Sequence, residues 1–264
     1  MEFSKPCVTK LLNDNFQNYK RYGIPKAQLV IADIPYNLGV NAYASSTEWY
    51  INGDNSQGES KKAGKAFFNS DTNFKIAEYM HFCSKMLIKE PRVTGKAPAM
   101  IVFCSFNKIP VVINYGKKYG FKNSFPIFFI KNYSAQVLKA NMKIVGATEH
   151  AVVLYRDKLP KFNNDGKMVF NWFKWTKDRK GEYPKIHPTQ KPISLLKQLI
   201  KIFTDEGDVV IDPCAGSGST LRAAYELNRN SYGFEIVKDF YNKAINQMLN
   251  KETLEQIKAQ TSLW

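Results

Sequence analysis

Short apolar runs alternate along the chain with longer segments whose apolar residues recur at helical spacing. The short runs predict buried strands, and the longer segments predict amphipathic helices. Strands that alternate with helices indicate an α/β fold with a mixed, mostly parallel sheet and helices on both faces. The predicted strands are residues 28–33, 100–104, 125–130, 151–155, 209–212 and 231–236, and the predicted helices are residues 74–90, 192–203, 217–228 and 239–260.

Two polar segments interrupt this alternation. Residues 40–73 are rich in Gly, Ser, Asn and Lys, and residues 156–188 are polar apart from an aromatic cluster. A long loop inside a compact domain is usually functional or mobile. We therefore expect a single domain over residues 1–264, with a mobile loop at 40–73 and a functional surface segment at 156–186.

Composition adds the prospect of a polyanionic partner. The net charge of +15 favours nucleic acid, because binding releases condensed counterions, although a lysine-rich chain can also reflect coding bias. No run of about 18 apolar residues is present and the N-terminus lacks the apolar run of a signal peptide, so we expect no membrane span and a cytoplasmic location. The four cysteines include no Cys-x-x-Cys pair, which argues against a metal site.

The most informative stretch is the strand that ends in Asp212 and the glycine turn that follows it. Gly216 and Gly218 let the backbone turn sharply and approach a ligand before a helix begins. The spacing matches neither a dinucleotide fingerprint nor a phosphate loop. Glu235 ends the next predicted strand, where an acid can accept hydrogen bonds from ribose hydroxyls. With both acids in place, a nucleoside such as S-adenosylmethionine is favoured over a turn that only packs helix against strand.

The first predicted strand ends in the tetrapeptide Asp33, Ile34, Pro35 and Tyr36. An exocyclic amine of a nucleobase is a poor nucleophile, because its lone pair is delocalised into the ring. The Asp33 carboxylate and the Ile34 carbonyl, restricted by Pro35, could accept both N–H bonds and localise that lone pair. Tyr36 offers a face on which a base outside the helix could stack. Alone, the tetrapeptide fits an ordinary turn better than a catalytic motif.

In this order, the two motifs resemble those of amino-methylating DNA methyltransferases of the permuted, or β, group. Their catalytic motif, usually Asp-Pro-Pro-Tyr, precedes a cofactor motif that is usually Asp-Pro-Phe-Ala-Gly-Ser-Gly-Thr. Here Asp33–Tyr36 precedes Asp212–Ser219. The segment His187–Pro192 is similar to the one before the family's cofactor loop, and 148–155 resembles a later core strand more loosely. The resemblance covers residues 28–38 and 98–250, with Ile34 and Cys214 departing from the usual residues.

The resemblance implies a Rossmann-like, S-adenosylmethionine-dependent methyltransferase fold with a circularly permuted motif order. It implies a site-specific enzyme that methylates the N6 amine of a flipped-out adenine in DNA, since Asp33 is typical of the adenine subgroup. N4-cytosine or RNA methylation, and a basic nucleic-acid-binding protein with a degenerate cofactor fold, remain alternatives. No metal is implied. The implied cofactor residues are His187, Thr189, Gln190, Lys191, Asp212, Cys214, Ala215, Gly216, Ser217, Gly218, Ser219, Glu235 and Ile236.

Family members read their target through a variable region between the catalytic and cofactor halves, and residues 156–186 occupy that place. Basic residues there suit phosphates, and aromatic residues suit bases, although the aromatics could instead pack on the core. Loop 40–73 is the competing region. The resemblance makes DNA the partner and leaves a homodimer and a cognate restriction endonuclease open. The predicted DNA contacts are Lys61, Lys62, Lys65, Trp172, Lys174, Trp175, Lys177 and Arg179.

Overall fold

The computed structural model describes residues 7–35, 74–132, 136–139, 142, 144–187, 189–250, 252 and 254–255. The predicted mobile loop at 40–73 lies outside these residues. The strands are β1 Thr9–Leu12, β2 Leu29–Asp33, β3 Ala99–Phe103, β4 Asn123–Lys131, β5 Gln136–Lys139, β6 Ile144–Gly146, β7 Thr148–Tyr155, β8 Trp172–Trp175, β9 Val209–Asp212 and β10 Asn230–Phe234. The α-helices are α1 Ile76–Met86, α2 Ile109–Lys118, α3 Ile193–Phe203, α4 Ser219–Glu226 and α5 Lys238–Lys243, with 3-10 segments at Phe16–Arg21 and Phe106–Lys108 and a π-helical segment at Ala244–Met248.

Eight of the described strands form one sheet in the order β1-β10-β9-β2-β3-β7-β4-β8. Strand β7 runs antiparallel to both of its neighbours, β3 and β4, whereas the other neighbouring pairs are parallel. The predicted mixed, mostly parallel sheet is therefore confirmed. Strands β5 and β6 pair separately as a short antiparallel hairpin.

Helices cover both faces of the sheet, as the sequence predicts. Side chains alternate along β2, so that Leu29 and Ile31 pack on one face, against α3 and α4. Val30 and Ala32 pack on the other face, against α1. A strand that is buried on both faces is apolar throughout, which explains why β2 and β3 could be recognised as short apolar runs.

The elements that were not predicted include one helix and two strands of the main sheet. Helix α2 opens with Pro110 in its first turn, where proline is tolerated, but four of its apolar residues are β-branched, which lowers helix propensity. Strand β1 has only four residues, and β8 has the sequence WFKW, which we interpreted as an aromatic cluster. The prediction of one continuous helix over 239–260 is wrong, because α5 ends at Lys243 and is followed by a π-helical segment that ends at the cap residue Leu249.

The strand order brings the two sequence motifs to one edge of the sheet. Strands β10, β9 and β2 are adjacent and parallel, so their carboxyl ends lie side by side. Asp33 ends β2, Asp212 ends β9, and Glu235 directly follows β10. Ligands of open α/β sheets bind at this edge.

Substituting Gly233 with alanine should destabilise the protein, because β10 passes very close to the glycine turn. An added Cβ would lie 2.8 Å from Leu221 Cδ1 and 3.0 Å from Ala215 Cβ, and the short Ala215 side chain cannot move aside. We expect Gly233→Ala to lower the free energy of unfolding by about 1–3 kcal/mol, measured by urea denaturation. Tyr232→Phe on the same strand is the control and should change it little. Equal stability of the two variants would contradict this packing.

Candidate active site

Three carboxyl groups line the edge formed by β2, β9 and β10. Asp212 is 3% exposed, and its Oδ1 accepts a hydrogen bond of 2.9 Å from the Cys214 backbone N–H. Burial raises the pKa of Asp212 to about 7, and the nearby charges of Asp33 and Glu235 act in the same direction. Burial likewise raises the pKa of Glu235 to about 7, although its Oε1 accepts a 2.6 Å hydrogen bond from the Val237 N–H. A cation bound at this edge would relieve the cost of ionising both groups.

The glycine turn after β9 has the left-handed backbone that the sequence predicts. Gly216 and Gly218 have φ angles of 50° and 76°, a region that side chains disfavour. The turn closes with a 2.8 Å hydrogen bond from the Gly218 N–H to the Ala215 carbonyl. Ser217 and Ser219 are buried, and their hydroxyls lie 2.7 Å apart. These two hydroxyls therefore hold the turn together from inside.

The segment before α3 packs against this turn. The His187 ring lies 4.6 Å from the Phe240 ring and beside Gly216. Burial, together with the charge of Lys191, lowers the pKa of His187 to about 4, so the imidazole is neutral near pH 7. The Thr189 hydroxyl lies 3.0 Å from His187 Nδ1. The Gln190 amide bonds the backbone of the same segment, through the Ile186 N–H and the Pro184 carbonyl.

Lys191 reaches the predicted catalytic carboxylate. Its Nζ lies 2.6 Å from Asp33 Oδ2 and 3.1 Å from Glu149 Oε2. Lys131 completes the group through an ion pair with Glu149 Oε1. Burial disfavours the charged ammonium, but Asp33 and Glu149 outweigh it and raise the pKa of Lys191. The pKa of Glu149 is lowered by Lys191 and Lys131 despite its burial. We assigned Lys191 to the cofactor, whereas the structure pairs it with Asp33.

Aromatic rings lie beneath this group of charges. Lys191 Nζ lies 5.3 Å from the centre of the Phe103 ring and 5.6 Å from that of Trp175, and Lys131 Nζ lies 4.7 Å from the Trp175 ring. Cations are stabilised over aromatic faces, more so when water is excluded. The rings thus support both ammonium groups from the core side.

Glu149 and Lys131 were not predicted as site residues. Glu149 shares a face of β7 with Ala151 and Val153, which are fully buried. An acid at an inward position of an otherwise apolar strand was the signal that could have found it. Lys131 gave no such signal, because it ends β4 where a surface lysine would be ordinary.

The remaining predicted catalytic and cofactor residues fall around this edge. Ile34 is buried, and its N–H donates to the Phe103 carbonyl at 3.4 Å. Tyr36 lies outside the described residues. Ile236 is 55% exposed beside Glu235, an apolar side chain facing solvent. Burial raises the pKa of the Cys214 thiol well above its ordinary value, so Cys214 is unsuited to act as a thiolate nucleophile.

The predicted DNA contacts divide into exposed and buried side chains. Trp172 is 46% exposed and stacks on Phe170, with their ring centres 5.9 Å apart. Lys174, Lys177 and Arg179 are also exposed. Trp175, in contrast, is 4% exposed and lies in the core beneath the two lysines, which leaves it no face for stacking a base. Lys61, Lys62 and Lys65 lie outside the described residues.

The first basic residues of the 156–186 segment bind the body of the domain. Arg156 donates to the carbonyls of Ser84 and Ile88. Lys161 forms ion pairs of 2.6 Å with Asp205 and 2.7 Å with Asp208. These side chains therefore anchor the start of the segment to the rest of the domain.

Searches for other kinds of site gave negative results within the described residues. No group of three or more His, Cys, Asp or Glu side chains there could hold a metal ion. No described helix is long and apolar enough to cross a membrane.

Comparisons with known proteins agree with this arrangement. A family model described as DNA methylase matches residues 27–247. Over 62 residues the chain is 50% identical to the Type II methyltransferase M.HindIII of Haemophilus influenzae, a match that covers 24% of this chain and only 20% of that protein. Over 262 residues it is 24% identical to the DNA adenine methyltransferase YhdJ of Escherichia coli, covering 93% of this chain and 84% of that protein.

Solved structures share the fold. The complex of M1.HpyAVI with SAM superposes with a TM-score of 0.66 at 21% identity, covering 90% of this chain and 98% of that one. The PvuII DNA methyltransferase, described as cytosine-N4-specific, gives a TM-score of 0.60 at 15% identity, covering 97% and 95%. At such identities the likeness concerns the fold alone, and it confirms the predicted fold class.

The raised pKa of Glu235 predicts a pH-dependent stability. The group has a pKa of about 7 in the folded protein against an ordinary value of 4.5, so its contribution is complete below 4.5 and is lost as the pH rises through 7. Relative to Glu235→Gln, which does not titrate, the ligand-free protein should lose thermal stability between about pH 4.5 and about pH 7, and show no further loss from this group above that range. Thermal unfolding of both proteins across this range measures the difference. Glu206→Gln, at an exposed carboxyl, is the control. If the difference in melting temperature between the parent protein and Glu235→Gln did not change with pH, the effect would be ruled out.

Proposed function

Because the chain belongs to the DNA methylase family whose model spans residues 27–247, we propose that it transfers a methyl group from S-adenosylmethionine to the N6 amine of adenine in DNA. S-adenosylmethionine is the cofactor of this family. The finer assignments, adenine as the base and the role of each residue, rest on the geometry of the edge where β2, β9 and β10 end.

One observation carries the proposal: Asp33, the first residue of the tetrapeptide, lies near the residues that open the glycine turn, although the two are far apart in sequence. Strands β2 and β9 are neighbours, with Leu29 opposite Val210 and Val30 opposite Ile211. The Asp33 carboxylate is close enough to Asp212 and Cys214 to influence the ionisation of both. A ligand held on the turn would therefore present its reactive group to a base held at Asp33.

The residues of the turn suit S-adenosylmethionine chemically. The cofactor is cationic at its sulfonium and carries a further ammonium group, and the buried carboxyls of Asp212 and Glu235 favour a cation. Glu235 lies at the end of β10, where it can accept hydrogen bonds from ribose hydroxyls. The exposed Ile236 beside it offers an apolar face to the adenine ring. When bound, the cofactor supplies a methyl group activated by the positive sulfur.

The chain's own contribution is to orient the attacking amine. Asp33 accepts a hydrogen bond from one N–H of the exocyclic amine and the Ile34 carbonyl accepts one from the other, so that the nitrogen lone pair points to the methyl group. Lys191 keeps the carboxylate ionised and fixed in position. Catalysis then consists of positioning and preorganised charge, and needs no covalent intermediate with the protein.

Adenine is the base favoured by Asp33, because the family resemblance associates aspartate at this position with the adenine subgroup. The match to an adenine methyltransferase over 262 residues supports the same choice. The fold likeness to a cytosine-N4 enzyme makes N4-methylcytosine the competing product. Enzymatic digestion of methylated DNA to nucleosides, followed by mass spectrometry, separates the two products.

We propose that DNA contacts the exposed part of β8 and the turn before it. Phe170 and Trp172 present stacked aromatic rings to solvent, and Lys174 lies exposed on the same strand. Aromatic rings suit the stacking of unpaired bases, and lysines suit phosphates. Trp175 has no part in this surface, because it is buried beneath Lys131 and Lys191.

Asp33→Ala should abolish methyl transfer and leave cofactor binding nearly intact, because Asp33 orients the amine while Asp212 and Glu235 face the cofactor. We expect a loss of at least about a hundredfold in kcat, measured with tritiated S-adenosylmethionine on genomic DNA that lacks adenine methylation. Binding of the cofactor is followed by the rise in melting temperature. Asp157→Ala, at an exposed ion pair with Lys122, is the control and should retain activity. Substantial activity in Asp33→Ala would refute the assignment.

Substitutions on β8 should weaken the binding of DNA without affecting the cofactor. Lys174→Ala should reduce the slope of log Kd against log salt by about one, as expected for the loss of one phosphate contact. Trp172→Ala should raise the Kd for DNA by about tenfold through lost stacking. Fluorescence anisotropy with labelled duplexes at several salt concentrations measures both. Lys201→Ala, exposed on α3, is the control, and a Kd equal to that of the control in both variants would place the DNA elsewhere.

A further inference from the structure

The catalytic carboxylate belongs to a chain of four alternating charges. Asp33 contacts Lys191 at 2.6 Å, Lys191 contacts Glu149 at 3.1 Å, and Glu149 contacts Lys131. The four side chains come from β2, the segment before α3, β7 and β4. The set is electrically balanced, with two anions and two cations.

We propose that Glu149 and Lys131 are positioning residues that act on Asp33 through Lys191, an inference that rests on the proposed function. Among the ion pairs of the described residues, Asp33 pairs with Lys191 and not with Glu149 or Lys131, so each of the latter works by setting how strongly Lys191 holds the carboxylate. Glu149 draws the ammonium away from Asp33, and Lys131 in turn limits that pull. The balance leaves Asp33 ionised and oriented, yet still able to accept the hydrogen bond of the target amine.

The need for such sharing follows from the chemistry of the amine. A lysine paired with Asp33 alone would neutralise the carboxylate and weaken it as a hydrogen-bond acceptor. Without any lysine, the carboxylate would stand close to the buried acid Asp212 and would protonate more readily. Because the charge of Lys191 is divided between two carboxylates, Asp33 stays ionised and also keeps its strength as a hydrogen-bond acceptor.

The strand directions explain why Glu149 can take this position. Strand β7 runs against its neighbours, so its amino end lies at the edge where the others have their carboxyl ends. Phe103 pairs with Ala151 and Phe129 pairs with Glu149. Glu149 therefore lies beside the end of β3, across which Lys191 reaches Asp33.

Several other ionisable groups surround these residues and bear on any pH dependence. They do not lie in the four-residue chain, but their charges act on its members, and the experiment must leave them unchanged. Asp212, Cys214 and Cys104 interact electrostatically with Asp33, and Glu235 interacts with Asp212 and Cys214. The His187 ring lies close to Lys191, and the His150 ring lies close to Glu149.

The test compares single substitutions whose effects should alternate in sign. Lys191→Met removes the cation beside Asp33, so the acidic limb of the pH profile of kcat should move up by about one unit. Glu149→Gln leaves Lys191 to Asp33 alone, so the limb should move down, with kcat reduced on the order of tenfold. Lys131→Gln strengthens the hold of Glu149 on Lys191, so the limb should move up by less than in Lys191→Met.

The control is Glu226→Gln, which breaks a comparable buried network away from the site. Glu226 bonds Arg222 at 2.7 Å and Lys197 at 2.9 Å. Its loss should lower the melting temperature and leave the acidic limb in place. If the limbs of the Glu149 and Lys131 variants coincide with that of the parent, or move in the same direction as each other, the proposal is overturned.

A second measurement does not depend on turnover and so separates this inference from the proposed function. The 13C chemical shift of the Asp33 carboxyl carbon, assigned through Asp33→Asn, is followed against pH in the cofactor-free protein. The midpoint of this titration should move up in Lys191→Met, down in Glu149→Gln, and up by a smaller amount in Lys131→Gln. Coincident midpoints would overturn the positioning role even if the protein methylates DNA, and alternating midpoints would support it even if the methylated base is not adenine.

Discussion

The ammonium of Lys191, held between Asp33 and Glu149, is the interaction on which the architecture of the site depends. A buried cation is tolerated only when its partners compensate the loss of hydration, and here two carboxylates and two aromatic rings do so. The contact ties the segment before α3 to β2 and β7, and so joins the catalytic tetrapeptide to the segment that packs on the glycine turn. Rigid placement of both halves follows from one buried charge.

The two halves of the site differ in how their charges are balanced. Around Asp33 the chain supplies its own cations, and the group of four is neutral. Around the glycine turn it supplies none among the described residues, and both Asp212 and Glu235 have pKa values raised to about 7. The unbalanced half thus favours a positively charged ligand and the balanced half favours a neutral one. This division matches a sulfonium donor and an uncharged base.

The sequence allowed the order of motifs and the central strands to be predicted, because β2, β9 and β10 carry compact local signals. Edge elements were harder to predict, since β1 is short and β8 is a run of only four residues, three aromatic and one lysine, inside a polar segment that also fits a loop. The pairing of Lys191 with Asp33 joins residues 158 positions apart, and its pairing with Glu149 depends on the reversed direction of β7. Local patterns carry no information of that kind, so Lys191 and Asp33 were each found, but their contact and the second partner, Glu149, were not.

The surface segment that precedes α3 is fastened at both ends. Asn163 donates to the carbonyls of Lys201 and Thr204, and Asp178 accepts hydrogen bonds from the first backbone N–H groups of α3. Between them, Met168, Val169, Phe170 and Trp172 are exposed, whereas Phe173 packs against the core. These exposed residues can accumulate substitutions, or be exchanged together, without disturbing the charges around Asp33. The fold thereby separates the surface proposed to contact DNA from the charges around Asp33, and makes the exposed residues before β8 a natural site for grafting.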